Sequence, residues 1–325
     1  MTGPAGANSP ARQERVLDWV NAALAEACEE HPHLRAGLEK ALTGARRAAK
    51  EEGWPPLWLP LRVGTALDLA PQRLEPLGAA CVLYFAAADI VDDAQDGHLD
   101  PAQWTDWRLA VSAGLTLLFL AQQLALAASP PTEMARVASA FGRSGVQMSL
   151  GQCLDLSQHV PLQQMGSEEQ FLSCVRLKTG ASLALYASLP ALCAGARAET
   201  VDALSAWGEA VGAALQLSSD VADLLSPTGR DRAAGRATLP IQRAWSRLSA
   251  ADRVHLEAAW QGRPEAPSLD FLLQRTGALA YVRARIGALK LEAKEAIATP
   301  GFPVSLAEDL MQWVDRAGTN QTRAL

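Results

Sequence analysis

The chain has 325 residues, 49% of them hydrophobic and 20% charged, with a net charge of -6. That supplies apolar material for one large core or two, and the acidic balance excludes nucleic acid as the main partner. Its five cysteines are scattered without a CxxC pair, which argues against a disulfide frame or zinc site and for reduced thiols in a cytoplasmic protein.

In chain order, Met1–Pro10 has neither a basic start nor an apolar run. No signal peptide is expected there, and residues 1–10 read as a flexible lead. Ser9 and Pro10 suit the cap and first turn of a helix whose buried stripe is Val16, Leu17, Val20, Leu24 and Cys28. A second helix is expected from about Leu34 to Lys50, followed by a Gly/Pro break, EEGWPPLWLPLR, carrying Trp54 and Trp58. No segment alternates with period two, and the Gly/Pro signals fall between helix-length runs, so the fold class is all-α.

Tyr84–Asp96, YFAAADIVDDAQD, places Asp89, Asp92 and Asp96 on one helix face with Asp93 beside them. Four acids in three turns repel one another, and the neighbours upstream are apolar. Oxygen-only donors of this kind suit a hard divalent ion such as Mg²⁺ holding a phosphorylated substrate. The alternative is an acidic helix end opening into the loop Gly97–Pro101.

Leu109–Thr132 and Thr179–Ala196 carry no charge. The first is long enough to cross a membrane. Gln122 and Gln123 lie inside it, however, Pro190 and Gly195 interrupt the second, and no one-sided Lys/Arg cluster flanks either. Both are expected to be buried core helices, with no transmembrane segment.

Gly145–Asp155 sets Gln147, Gln152 and Asp155 among apolar neighbours, and RLKTGASLALY puts Lys178 and Thr179 at the expected start of an apolar helix. A lysine there opposes the helix dipole and calls for an anionic partner; the plainer reading is a snorkelling surface lysine. In LQLSSDVADLL, Gln216, Asp220 and Asp223 follow helical spacing, with Ser219 one turn before Asp223. The Gly-punctuated loop SPTGRDRAAGRATLP then brings Arg230, Arg232 and Arg236, whose guanidinium groups suit phosphate oxygens. From Ala251 on, two or three amphipathic helices are expected, with a turn at Thr299–Pro303 and a frayed tail over 317–325. Trp19, Trp260 and Trp313 read as core filler, and Trp54 and Trp58 as candidates to line an acceptor site.

Five of these segments, in this order, resemble the trans-isoprenyl diphosphate synthase (polyprenyl synthetase) family. Asp92-Asp93-Ala94-Gln95-Asp96 is similar to its first DDxxD, Gly151–Leu156 to GQxxDL, and Lys178-Thr179-Gly180 to KTG. Leu215-Gln216, Ser219-Asp220 and Asp223 fall at FQ and the second DDxxD, and Gly229, Asp231, Gly235, Arg236 and Thr238-Leu239-Pro240 at GxDxxxGKxTLP.

The resemblance implies a single helical domain over residues 11–316 around a central cavity, and an enzyme acting on an allylic prenyl diphosphate. It implies Mg²⁺, three ions once diphosphate is bound, on Asp92, Asp93 and Asp96 and on Ser219, Asp220 and Asp223 from a facing helix. Lys178, Arg230, Arg236, Gln152 and Asp155 would then hold substrate, while Thr179 and Gln216 face the developing carbocation. A homodimer through apolar helices is implied as well.

Several positions depart from the family. GWPPLWLP stands where chain-elongating members have a basic GGKRxRP signature. Phe85 stands at the family's histidine, only Arg108 lies near its paired arginines, and Ser219 replaces an aspartate. These groups hold the diphosphate of isopentenyl diphosphate or a metal ion. The expected activity is therefore prenyl transfer to an acceptor that need not be isopentenyl diphosphate, as in the ComQ-type branch. A terpene synthase acting on the allylic diphosphate alone and a non-catalytic subunit of a heteromeric synthase are the alternatives. Ala86, Ala87 and Ala88 above the first motif suggest a deep pocket that Tyr84 or Phe85 could close.

Overall fold

The computed structural model describes residues 10–158, 160–226 and 229–317. The Ser9 cap, the lead before Pro10 and the tail from 318 lie outside the described residues. Regular structure among the described residues is helical, as the missing period-two alternation demands. The helices are α1 (Pro10–Ala27), α2 (Arg35–Ala41), α3 (Thr43–Ala48), α4 (Pro55–Ala66), α5 (Pro71–Gln95) and α6 (Trp107–Ala128). They continue with α7 (Met134–Ser157), α8 (Glu168–Val175), α9 (Ala181–Cys193), α10 (Ala198–Leu225) and α11 (Arg230–Ala233). The last are α12 (Leu239–Arg247), α13 (Ala250–Trp260), α14 (Leu269–Arg275), α15 (Ala278–Ile297) and α16 (Val304–Arg316). The chain forms two compact units, each taken by itself below.

The first unit comprises, in its described part, residues 10–144, Leu185–Ser205 and Gly301–Leu306. Helix α5 is its axis, packed by α1, α4 and α6. From Leu74 to Tyr84 every residue of α5 is buried. The buried carboxylate Glu75 is matched there by Arg15 of α1 at 2.7 Å. Helix α6 lies close because Gly114 leaves room: a Cβ there would stand 2.5 Å from Val91 Cγ2.

Four expectations change in this unit. EEGWPPLWLPLR is not a break throughout, since α4 starts at Pro55 and runs on through Pro60. Two prolines in a first turn sacrifice no helical hydrogen bond, because N–H groups there have no intrahelical acceptor. The expected helix Leu34–Lys50 is interrupted at Leu42 into α2 and α3. Helix α6 is not buried all round: Ala110, Ala113, Leu117, Ala121 and Ala125 face inward, while Leu115 and Phe119 are 48% and 64% exposed. Both α5 and α6 are long and apolar enough to cross a membrane, but their most apolar windows are 78% and 33% buried. Trp19, expected in the core, is 41% exposed, whereas Trp260 and Trp313 are buried.

The second unit comprises, in its described part, residues 145–158, 160–184, 206–226, 229–300 and 307–317. Phe171, Val175, Leu217, Leu239, Ile241 and Leu256 are among its core residues. Helix α8 opens on a reciprocal cap in which Ser167 Oγ accepts from Gln170 N–H and Gln170 Oε1 from Ser167 N–H. It then runs without a break through a π-helical turn, Arg176–Gly180, into α9. Lys178 is therefore not at a helix start, as the sequence had suggested, but inside a continuous helical run.

Candidate active site

The acidic stretch forms the C-terminal end of α5 in the first unit. Gly97, at φ 73°, terminates the helix, and the N–H of His98 bonds back to the carbonyl of Asp93. Phe85, Asp89, Asp92 and Asp96 stand four, three and four residues apart, on one face. Asp92, Asp93 and Asp96 are half-buried. Their all-oxygen donor set fits a hard cation that takes one or two carboxylates and completes its shell with water and phosphate oxygens. Among the described residues no three His, Cys, Asp or Glu side chains converge tightly enough to hold a metal alone.

The upper end of this face is covered by the N-terminal helices. Trp54 meets the Phe85 ring edge-on at 5.0 Å, and Gly44 of α3 lies under Asp89, where a Cβ would be 3.1 Å from Oδ2. Tyr84 points elsewhere: it is buried, its hydroxyl donates to Ser144 at 2.9 Å, and its ring packs against Phe141 and Tyr186. Burial pushes its phenol up to about 12. Of the two residues suggested to close a pocket, only Phe85 is on the acid-bearing face.

The second unit gathers most of the other singled-out residues into one network. Lys178 Nζ donates to Asp155 Oδ2 at 2.7 Å, supplying the anionic partner the sequence called for. Arg236 Nη1 donates to both oxygens of Asp155 at 3.0 and 2.7 Å, and its Nε donates to Asp231 at 2.9 Å. Its Nη2 lies 3.5 Å from Asp220. Gln216 donates to Asp220 at 2.8 Å and accepts the Thr179 hydroxyl at 2.6 Å. Gln152 sits on α7 one turn before Asp155 and is half-buried.

Backbone proximity makes this possible. A Cβ on Gly151 would stand 2.5 Å from the Lys178 nitrogen, so only glycine lets α7 touch the π turn. A π bulge widens the helix locally and is common at functional sites.

The charges set distinct protonation preferences. Burial alone would raise Asp155, but Arg236 and Lys178 hold it below the usual carboxylate range. Asp220 is pushed up to about 7 by burial, which outweighs the more distant Arg236. Burial likewise raises Asp231. Three acids around one guanidinium raise Arg236, keeping it charged.

The rest of the second acidic constellation is arranged differently. Ser219 is exposed. Asp223 Oδ1 accepts the N–H of Arg230 at 2.9 Å, and its Oδ2 that of Asp231 at 2.8 Å. The Arg230 side chain is exposed. Arg232 donates to the carbonyls of Ala259 and Trp260, closing the C-terminus of α13, so it is tied to the fold. Asp231 had no role in the sequence reading beyond its place in GxDxxxGKxTLP; that place was the available signal.

A family model for polyprenyl synthetase matches residues 88–275. The chain belongs to that family. Over 209 residues it is 29% identical to the short chain isoprenyl diphosphate synthase of Methanothermobacter thermautotrophicus, covering 60% of this chain and 63% of the relative. Over 203 residues it is 30% identical to the geranylfarnesyl diphosphate synthase of Natronomonas pharaonis, covering 56% and 58%. The chain thus spans less than two thirds of the length of these curated relatives. A geranylgeranyl pyrophosphate synthase from Corynebacterium glutamicum, complexed with isoprenyl diphosphate and magnesium, shares the fold. Its TM-score is 0.77 at 19% identity, with 95% of this chain and 97% of that one covered. The all-α isoprenoid synthase fold expected from the sequence is the fold observed.

Proposed function

We propose that the chain is a Mg²⁺-dependent prenyltransferase that ionises an allylic prenyl diphosphate and passes the prenyl group to an acceptor. The observation that carries this is the Lys178–Asp155–Arg236 cluster, two cations held on one carboxylate. The names of the relatives, and the isoprenyl diphosphate and magnesium in a structure of the same fold, support it.

Asp92, Asp93 and Asp96 are the residues that fit Mg²⁺. When bound, the metal neutralises charge on the departing diphosphate. Within the second unit, Lys178 and Arg236 are suited to grip anion oxygens by charge-assisted hydrogen bonds, with Asp155 holding both side chains in place beforehand. Gln152 and Arg230 are proposed to contribute to the same anion. The Thr179 hydroxyl donates to Gln216, which leaves its oxygen lone pairs available to developing positive charge.

The names of the relatives favour isopentenyl diphosphate as acceptor. One observation favours a different one. In the first unit, Arg46 donates to Asn21 and Lys40 to the Gln103 carbonyl, and Arg62 is buried and lowered by desolvation. Trp54 and Phe85 present rings there in place of cations. The exposed Leu115 and Phe119 in the charge-free run Leu109–Thr132 support a homodimer, and family membership supports a soluble enzyme, proposed to be cytoplasmic.

The discriminating experiment supplies purified protein with Mg²⁺ and geranyl, farnesyl or geranylgeranyl diphosphate, with and without isopentenyl diphosphate. A longer diphosphate formed only with isopentenyl diphosphate marks chain elongation. A hydrocarbon or alcohol from the allylic substrate alone marks a lyase. Silence in every mixture, including one with candidate acceptors, rejects catalysis.

A further inference from the structure

In the second acidic constellation both oxygens of Asp223 and one oxygen of Asp220 are engaged by the protein. Both oxygens of Asp223 accept backbone N–H groups, from Arg230 at 2.9 Å and Asp231 at 2.8 Å. The turn is pressed onto the end of α10: a Cβ on Gly229 would lie 2.0 Å from the Asp223 carbonyl oxygen. Asp220 is 3% exposed, accepts from Gln216 and faces Arg236. Asp231, fixed at its backbone by Asp223, accepts from Arg236 with its carboxylate. The position left outward-facing is Ser219, which offers a neutral hydroxyl. Mg²⁺ demands near-ideal octahedral geometry. An ion drawing on the Asp223 oxygens would weaken the two N–H contacts that pin the turn.

We propose that in this chain the Ser219–Asp223 segment is not a magnesium site but the frame that fixes Gly229–Arg236 and aims Arg236, leaving Asp92, Asp93 and Asp96 to hold the metal. The proposal departs from the family resemblance, which implies ion binding at Ser219, Asp220 and Asp223. The metal half of the proposal rests on the prenyl diphosphate reading above; the frame half does not.

The test uses the full chain, with Mn²⁺ and inorganic pyrophosphate as probes. Backbone amide exchange at Arg230 and Asp231 is measured with and without them, and Mn²⁺ affinity is followed by electron paramagnetic resonance. The two amides should stay protected when Mn²⁺ and pyrophosphate are added. Asp223→Asn should leave Mn²⁺ affinity unchanged while speeding exchange at both amides, whereas Asp92→Asn should weaken Mn²⁺ by at least about tenfold, or 1.4 kcal/mol. Loss of amide protection in the wild type on adding Mn²⁺ and pyrophosphate would overturn the proposal without any variant. So would a tenfold weakening of Mn²⁺ by Asp223→Asn in a protein that still melts cooperatively. If the wild type binds no Mn²⁺ at all, the prenyl diphosphate reading fails, and the frame still stands or falls on exchange in Asp223→Asn.

Discussion

Lys178 and Arg236 meet on Asp155, each with a nitrogen 2.7 Å from the same oxygen, Oδ2. The Asp155 side chain is only 7% exposed, so its charge is not interchangeable with solvent. Asp155→Asn should leave two half-buried cations without the carboxylate between them and cost up to about 3 kcal/mol in urea unfolding near neutral pH. Asp155 is depressed in the folded state, so its stabilisation is present above the unfolded carboxylate value, about 3.9, and fades as pH falls through the folded one. The gap between wild type and Asp155→Asn should therefore narrow below about pH 4. A gap that widens in acid would contradict this.

Asp220 has the opposite sign. Its folded value, about 7, lies above the unfolded one. It therefore favours the folded state most at low pH, and that contribution declines as pH rises through about 7. Asp220→Asn removes the titration but keeps the shape. Its melting temperature relative to wild type should climb between pH 5 and 8, and a flat difference would rule out a buried, titrating Asp220.

Gly151→Ala would force a methyl to within 2.5 Å of the Lys178 nitrogen, where backbone on both sides cannot yield cheaply. Overpacking of this kind costs about 1–3 kcal/mol. Because the strain falls on the turn carrying Lys178, pyrophosphate affinity should drop as well. If calorimetry showed stability and pyrophosphate binding both intact, the contact between α7 and the π turn would be misdescribed.

Much of this site was legible because its chemistry is written in short, regularly spaced runs. Asp92 and Asp96 share a face by helical arithmetic alone. Lys178 demanded an anion, although the reason given, a helix start, was wrong: a π turn continues the helix and cannot be told from a cap by composition. The pairing of Asp155 with Arg236 was not readable, since it depends on tertiary proximity. Nor was the division of labour among the loop arginines, because Arg232 binds the end of α13, an element without a motif. The charge-free run Leu109–Thr132 looked equally fit for a core. Only packing shows that its alanine face meets α5 while Leu115 and Phe119 face outward.

That outward face gives a further prediction. Phe119 is 64% exposed on the outward face of α6, one turn after the exposed Leu115. If the chain pairs through α6, Phe119→Glu should shift sedimentation from dimer to monomer while the melting profile of the monomer stays cooperative. Wild type sedimenting as a monomer at all concentrations would exclude the dimer.

The most direct test of the account is pyrophosphate release from farnesyl or geranylgeranyl diphosphate, assayed with Mg²⁺ and a candidate acceptor, for wild type and Asp92→Asn. The account predicts release by the wild type that stops when Mg²⁺ is chelated and falls at least about a hundredfold in Asp92→Asn, the scale expected when transition-state charge loses its stabilisation. Release that survives both chelation and the substitution would contradict it.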